Sequence, residues 1–313
     1  MRALLLVLGF SLSTLTSAQP VTRIIVPFGA GGVQDTLARA IGNELGALIG
    51  RTVIVENRTG AGGTIGNASV AKSTPDGSTL LLSAASHTIT GHVYSKLPYH
   101  PIDDFTGVAH IGTVDYVLII NSQIPAKDVK EFIAYAKANP GKLNYATAGN
   151  GSATHLGMAY FLARAGVEMQ HVPMKSTGDA VNEVLAGRVQ GVTSSLIGVT
   201  GFKQDPRLTI LAYTGSQRTK FMPELPTVAE AGVAGYKFDS WIGVLAPSTM
   251  PRAEVDKLNA AINKVLADPV VQERLTRLGV ENGTMGVDEF QKLLRADYEQ
   301  AGVLVKASGA RIE

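Results

Sequence analysis

The chain has 313 residues and a formal net charge of +2, with 45% hydrophobic and 17% charged residues. This balance predicts a folded protein with a packed core. At about 150 residues per domain, the length predicts two lobes or one large domain. The absence of cysteine excludes disulfide frameworks, cysteine-ligated metal centres and thiol nucleophiles. The near-neutral charge and the lack of a basic run give no reason to expect a nucleic-acid partner.

The amino terminus has the pattern of a secretory signal peptide. Arg2 supplies a positive charge, residues 3–10 are almost all apolar, and small residues lead up to Ala18. We therefore expect residues 1–18 to be cleaved after Ala18 and the protein to be exported to the periplasm. A membrane anchor is the alternative, but the apolar run is shorter than the roughly 20 residues that a spanning helix needs.

Predicted strands and helices alternate along the chain, which is typical of an α/β protein with parallel strands. The elements of the first part are, in chain order, strand 22–28, helix 36–48, strand 52–56, a short helix ending at 71 after the glycine-rich loop 57–66, and strand 78–83. The later elements are one or two strands in 107–121, helix 126–138, strand 143–146, helix 154–165, strand 170–173, helix 178–186, strands 189–194, 208–213 and 238–246, and helices 251–267, 269–278 and 287–307.

Two glycine-rich loops, one in each half of the chain, lie between a predicted strand and a predicted helix. The first, residues 29–32, can aim backbone N–H groups at an anion with help from the helix dipole; a simple tight turn is the alternative. In the second, residues 149–154, Ser152 and Thr154 either cap the helix or donate hydroxyl groups to a ligand. Because α/β sheets bind ligands at the carboxyl ends of their strands, these loops predict a ligand site.

Three side chains near these loops have more than one interpretation. Asp35 is predicted to be the N-cap of the first helix, with a salt bridge or a contact to a ligand amino group as alternatives. Lys175 follows a predicted buried strand and either pairs with a ligand carboxylate or is solvated. His155 falls in the first turn of the helix that follows the second loop.

The sequence lacks the common catalytic and metal-binding motifs. Its six histidines form no HExxH motif, and neither GxSxG nor GxGxxG occurs in the chain. The pattern favours binding over catalysis, so we expect no enzymatic activity, no metal and no cofactor. A periplasmic hydrolase that uses Ser152 with a distant histidine is kept as an alternative.

A series of short motifs runs through residues 20–310 in a fixed order. They include Ile25-Val26-Pro27-Phe28 with Gly31-Gly32 and Asp35, Val53 to Arg58 with Gly60 to Gly63, Pro75 to Leu81, Gly149 to Ser152 with His155-Leu156, His171-Val172-Pro173, and Trp241 with Gly243. Together they resemble the Bug family of periplasmic solute-binding proteins, which includes the binding components of tripartite tricarboxylate transporters.

The resemblance implies an α/β, two-lobed type II periplasmic-binding-protein fold with a ligand cleft between the lobes. Lobe I is expected to comprise residues 19–118 and 241–313, and lobe II residues 119–240. The implied ligand is a small carboxylate: a di- or tricarboxylate, an acidic amino acid or an aromatic acid. The implied partners are the membrane subunits of a transporter, with a sensor kinase as the alternative, and the protein is expected to act as a monomer.

Carried over to this chain, the resemblance and the glycine-rich loops predict a common set of ligand-binding residues. These are Phe28, Gly29, Ala30, Gly31, Gly32, Asp35, Ser83, Ser86, His87, Asn150, Gly151, Ser152, Ala153, His155, Lys175, Ser176 and Asp179.

The chain departs from the family pattern after the strand at 170–173. The family's Val-Pro-Tyr-Lys-Gly is here Val-Pro-Met-Lys-Ser, so Met174 and Ser176 replace a tyrosine and a glycine. Asp179 stands where the family has proline, and Gln190 where it has aspartate. We expect these changes to lie together on a loop that faces the ligand. The flexible, apolar Met174 favours an aromatic acid.

Overall fold

The computed structural model describes residues 20–310, so the predicted signal peptide lies outside the described residues. The strands are β1 (Val21–Val26), β2 (Thr52–Asn57), β3 (Thr79–Ala84), β4 (Phe105–Val114), β5 (Tyr116–Asn121), β6 (Asn144–Thr147), β7 (Gln170–Pro173), β8 (Gly191–Ser195), β9 (Leu208–Tyr213), β10 (Ser240–Pro247) and β11 (Val280–Asn282). The α-helices are α1 (Val33–Ile49), α2 (Thr64–Ala71), α3 (Ser86–Val93), α4 (Val129–Ala138), α5 (Ala153–Ala165), α6 (Thr177–Leu185), α7 (Leu196–Val199), α8 (Arg252–Leu266), α9 (Pro269–Arg277) and α10 (Val287–Ser308).

The strands form two mixed sheets. The first has the order β11-β4-β10-β3-β1-β2, and the second has the order β7-β6-β8-β5-β9. In the first sheet β1 pairs in parallel with β2 and β3, while β10 runs antiparallel between β3 and β4. In the second sheet β6 runs parallel to β7 and β8, and β5 runs antiparallel to β8 and β9. The predicted α/β class is confirmed.

The chain passes between the sheets at two places. Asp115 alone separates β4 of the first sheet from β5 of the second, and the chain returns between β9 and β10. The predicted strand region 107–121 is therefore two strands of different sheets. Alternate residues of β5 enter different apolar clusters, Leu118 and Ile120 on one face and Val117 and Ile119 on the other, as the two-residue period of a strand requires.

The sequence patterns missed three elements: α3, the four-residue α7 and β11. Helix α3 reads Ser-His-Thr-Ile-Thr-Gly-His-Val, and its β-branched residues and central Gly91 are weak helix formers. Most of its residues are buried, so packing against the first sheet and α10 holds it in a helix. Strand β11 has three residues, too few to show a periodic pattern. No helix within residues 20–310 combines the length and apolar composition that a membrane span requires.

Candidate ligand cleft

Four helices begin around one small cavity between the two sheets. This inner cavity has a volume of about 20 Å³ and is lined by Phe28, Val33, Gln34, Ser86, Tyr116, Ala148, Ser152, Ala153, Thr154 and Thr177. These residues include the first turns of α1 and α3, from the first sheet, and of α5 and α6, from the second. The first N–H groups of a helix have no acceptor within the helix, and its dipole makes this end positive. The inner cavity therefore suits an anion, although no charged side chain lines it.

A larger outer cavity of about 300 Å³ shares Phe28 and Ala148 with the inner cavity. Its walls come from residues 59–63 and Tyr94 on one side, and from Gly149, Asn150 and residues 173–175 on the other. We call the parts that belong to the first sheet (residues 28–34, 59–63, 86 and 94) the first wall. The second wall comprises residues 148–155 and 173–177. The two cavities together form the cleft.

The first glycine-rich loop turns the chain from β1 into α1. Gly31 has φ +75°, a conformation that glycine adopts without a steric penalty. Its N–H donates to Asp35 Oδ2 at 2.9 Å, and Arg39 Nε donates to Asp35 Oδ1 at 3.0 Å. Burial pushes the pKa of Asp35 upward, but hydrogen bonds from Arg39 and Gly31 outweigh it and hold the pKa below its ordinary value. Asp35 thus fixes the loop.

The N-cap prediction for Asp35 is wrong, because the N-cap of α1 is Gly32 and Asp35 lies in the first turn. Neither α1 nor α3 has a side-chain cap; the N-cap of α3 is Ala85. The N–H groups in the first turns of both helices are therefore not capped by the N-cap side chain and are available to a ligand.

The second glycine-rich loop is held together by its own hydrogen bonds. Ala148 N donates to Thr154 Oγ1 at 2.8 Å, Gly149 N donates to Thr147 Oγ1 at 3.1 Å, and Gly151 N donates to His155 Nδ1 at 3.2 Å. These N–H groups are occupied, which leaves those at the start of α5 to face the inner cavity. The loop therefore offers few free N–H donors to a ligand and mainly supports the start of α5.

Both helices of the second wall have serine N-caps. Ser152 Oγ accepts from His155 N at 3.2 Å, and Ser176 Oγ accepts from Asp179 N at 3.1 Å. Ser152 Oγ also lies 2.9 Å from Thr154 Oγ1, and no imidazole among the described residues makes a hydrogen bond with it. This arrangement lacks the serine–histidine contact that activates a nucleophile, so it does not favour a hydrolase.

Two stacked histidines support the second wall. The rings of His155 and His171 lie 4.2 Å apart between centroids and are nearly parallel, and His171 Nε2 lies 2.7 Å from Thr147 Oγ1. Burial lowers the pKa of both to about 4, and for His155 the repulsion from His171 in its protonated form adds to the effect. Both rings are therefore neutral at pH 7.

The first and second walls touch at glycines. A Cβ built on Gly62 would lie 2.0 Å from Asn150 O, and one on Gly29 would lie 3.2 Å from Ser176 Cβ. Tyr94 Oη donates to Asn150 O at 3.2 Å. The walls can approach this closely because Gly29 and Gly62 lack side chains, and the cleft has a closed form.

The structure brings some of the predicted site residues to the cavity walls and leaves others behind them. The predicted residues that line a cavity are Phe28, Ser86, Asn150, Ser152, Ala153 and Lys175. The predicted residues outside these linings are Gly29, Ala30, Gly31, Gly32, Asp35, Ser83, His87, Gly151, His155, Ser176 and Asp179.

Ser83 and His87 are both fully buried within the part of the fold built on the first sheet. His87 packs edge-on against Phe105, and its Nε2 lies 2.7 Å from Pro101 O. Burial lowers the pKa of His87 to about 4, so it is neutral at pH 7. Its observed contacts are those of a core residue.

The expectation that the four departures lie on one ligand-facing loop is wrong for Gln190. Gln190 precedes β8, and its Oε1 accepts from Asn144 N at 2.8 Å at the amino end of β6. The cleft lies at the opposite, carboxyl end of these parallel strands, so Gln190 is remote from it. Asp179 is exposed and accepts from Ser176 Oγ at 2.8 Å. Met174 does line the outer cavity.

Sequence reasoning missed several residues of the cleft. The loop 59–63 showed a signal, since it is the most glycine-rich part of 57–66, but it was not assigned to the site. Tyr94, Tyr116 and Thr177 carried no motif of their own. They reach the cavities through α3, β5 and α6, which a linear pattern does not reveal.

A family profile described as "Tripartite tricarboxylate transporter family receptor" matches residues 37–310. The chain belongs to this family. Protein BugT of Bordetella pertussis is 31% identical over 324 aligned residues, which cover 100% of this chain and 99% of BugT. The predicted resemblance to the Bug family is therefore confirmed, and the family is one of solute-binding receptors rather than of enzymes.

Two solved structures of similar proteins contain carboxylates. An R. palustris protein with adipate has a TM-score of 0.88 and 31% identity, over 92% of this chain and 97% of that chain. MatC from Rhodopseudomonas palustris with bound malate has a TM-score of 0.86 and 30% identity, over 91% of this chain and 98% of that chain. These likenesses confirm the two-lobed periplasmic-binding fold. Within residues 20–310 no group of three metal-ligating side chains could hold a metal ion.

Proposed function

We propose that this protein is a periplasmic receptor that captures a small aliphatic dicarboxylate and delivers it to the membrane subunits of a tripartite tricarboxylate-type transporter. The observation that carries the proposal is the meeting of four helix N-termini around a cavity without charged side chains. Helix N-termini bind a carboxylate through backbone N–H groups and the helix dipole. Family membership and the adipate and malate in similar proteins support it.

The arrangement of the two cavities supports a ligand with two acidic ends. One carboxylate would bind in the inner cavity, and the other would extend past Phe28 and Ala148 towards the outer cavity. Lys175 is the cationic side chain that lines the outer cavity. It is exposed, so its contribution to binding is small.

The closed form supports capture by movement of two lobes. The inner cavity of about 20 Å³ has room for little more than one water molecule, which needs roughly 10–15 Å³, so a carboxylate cannot enter it while the walls are in contact at Gly62 and Asn150. The lobes must therefore part for entry, as in hinge closure around a ligand. We infer that lobe I is 19–118 with 241–313 and lobe II 119–240; the chain's passages between the sheets, at Asp115 and before β10, support these bounds.

The test is a binding screen with mature protein that has been unfolded and refolded to remove any ligand from the host. The panel includes malate, adipate, citrate, glutamate and benzoate, and melting temperature and calorimetry are the readouts. We expect a saturable rise in melting temperature with a dicarboxylate, because ligand bound to the native state stabilises it. Folded protein that binds none of these compounds, or benzoate alone, would contradict the proposed ligand class.

The role of Lys175 can be tested with a matched pair of variants. Lys175→Gln should weaken dicarboxylate binding by about threefold, the range of an exposed ion pair, and leave monocarboxylate binding unchanged. Lys142→Gln is the control, since Lys142 is exposed and precedes β6, away from the cleft.

Ligand uptake that depends on the receptor in cells would support a transporter, whereas binding without any uptake would favour delivery to a sensor kinase.

A further inference from the structure

A third cavity, separate from the cleft, has a volume of about 500 Å³ and lies between α10, α5 and the segment that leads into β10. We call it the rear cavity. It shares no lining residue with the inner or outer cavity. Ala85 lines the rear cavity while its neighbour Ser86 lines the inner one. A thin layer of protein therefore divides the two.

A partly buried carboxylate stands in the wall of the rear cavity. Asp297 Oδ2 accepts from Thr88 Oγ1 at 2.5 Å and from Trp241 Nε1 at 2.8 Å. Oδ1 of Asp297 accepts no hydrogen bond from residues 20–310, and it is not fully buried. Because Asp297 lines the cavity, this oxygen is open to a donor that enters it.

The remainder of the lining is mostly apolar. It includes Ile89, Leu156, Phe238, Leu293, Leu304 and the ring of Trp241. Two further charged side chains, Lys237 and Asp239, pair with each other at 3.1 Å, so the lining carries a net formal charge of −1 from Asp297. A carboxylate beside apolar walls binds most strongly a cation that donates a hydrogen bond, because a charge-assisted hydrogen bond is stronger than a neutral one.

We propose that the rear cavity binds a small organic monocation, an alkyl- or arylalkylammonium, with its N–H donating to Asp297 Oδ1 and its apolar body against Trp241 and Leu293. The volume lies within the range of about 300–1,000 Å³ that is usual for small-molecule sites. The single free carboxylate oxygen matches one ammonium group, and the apolar walls match a hydrocarbon body. This ligand is opposite in charge to the one proposed for the cleft.

Trp241 is the sole tryptophan of the chain, so its fluorescence reports directly on the rear cavity. The probe is phenethylamine, which is charged at pH 7, and the comparison is phenethyl alcohol, which has the same body without the charge. We expect a saturable change in Trp241 fluorescence with the amine and at least about tenfold weaker binding of the alcohol, as the loss of a charged hydrogen bond implies. Equal binding of the two compounds, or no saturation with folded protein, would overturn the proposal.

Two variants assign the binding to the carboxylate. In Asp297→Asn the amide oxygen can still accept from Thr88 and Trp241, while an NH₂ group replaces the free oxygen. We expect at least about tenfold weaker amine binding with a near-normal melting temperature. Glu299→Gln makes the same charge change on α10 but lies outside the rear cavity, and it should bind the amine normally.

Ala296→Phe provides an independent test, since Ala296 is an exposed wall residue of the rear cavity and a phenyl ring there would fill space without disturbing Asp297. It should also weaken amine binding. If Asp297→Asn does not fold, amine binding by Ala296→Phe tests the site on its own. Amine binding that is unchanged in Ala296→Phe or in folded Asp297→Asn would refute the site.

Discussion

The two walls of the cleft present helix N-termini to the same cavity in different ways. In the first wall, α1 and α3 begin after Gly32 and Ala85 and have no side-chain caps. In the second wall, Ser152 and Ser176 cap α5 and α6, and the loop before α5 uses its N–H groups internally. The first wall therefore keeps more backbone donors for a ligand, while the second is ordered in advance and supports its position.

The largest expected effect on ligand binding comes from the contact between the walls. Gly62→Ala places a Cβ against Asn150 O, 2.0 Å from it in the closed form, so the lobes should not close fully. We expect carboxylate affinity to fall by about 100-fold, or roughly 2.7 kcal/mol. Calorimetry with the best ligand of the screen measures this loss.

Gly31→Ala is the matched control for Gly62→Ala. Gly31 and Gly62 have φ of +75° and +63°, so alanine at either position costs about 1–2 kcal/mol of stability. A Cβ on Gly31, however, has no neighbour within 4 Å, and affinity should be nearly unchanged. Equal losses of affinity in the two variants would show that backbone strain, rather than blocked closure, causes the effect.

As the pH falls, the second wall should lose stability before the first wall does. The pKa of His155 falls from 6.5 to about 4 in the folded protein because burial disfavours the charged ring. The unfolded chain therefore binds more protons between these pH values, and stability decreases as pH falls from 6.5 to 4, by up to about 3 kcal/mol for a shift of this size. Asp35, whose pKa is lowered, loses its contribution only at lower pH.

Denaturant unfolding from pH 7 to pH 4.5 tests this difference. His155→Gln removes the titrating ring from the stacked pair, so its stability should decrease less steeply with falling pH than that of the wild type. His87 and His171 also have pKa values of about 4, and they will leave some pH dependence in the variant. Parallel curves for wild type and His155→Gln would contradict the assignment.

The smallest expected effect is the removal of a cap from the second wall. Ser152→Ala deletes the oxygen that accepts from His155 N and should lower the free energy of unfolding by about 1 kcal/mol, the usual cost of a lost N-cap. Affinity should change little, because the backbone N–H groups of α5 remain. A large loss of affinity at normal stability would instead place the Ser152 hydroxyl on the ligand.

The local patterns of the sequence predicted most elements and the approximate place of the candidate site. Alternating strands and helices predicted the α/β class, and the glycine-rich loops before α1 and α5 marked two of the four helix N-termini that meet at the inner cavity. The periodic spacing of hydrophobic residues marks strands and helices, and the conformational freedom of glycine marks the loops. Both depend on residues that are neighbours in the chain, so they can be recognised from the sequence.

The tertiary structure decided which groups of those loops face a ligand. Asp35 and His155 lie beside the predicted donors in sequence, but each accepts a hydrogen bond from a loop N–H and thereby withdraws it from the cleft. The contact of Gly62 with Asn150 and the surroundings of Asp297 join residues far apart in the chain. Such groupings arise only when two sheets and α10 pack together, because no local pattern specifies a partner 50 or more residues away.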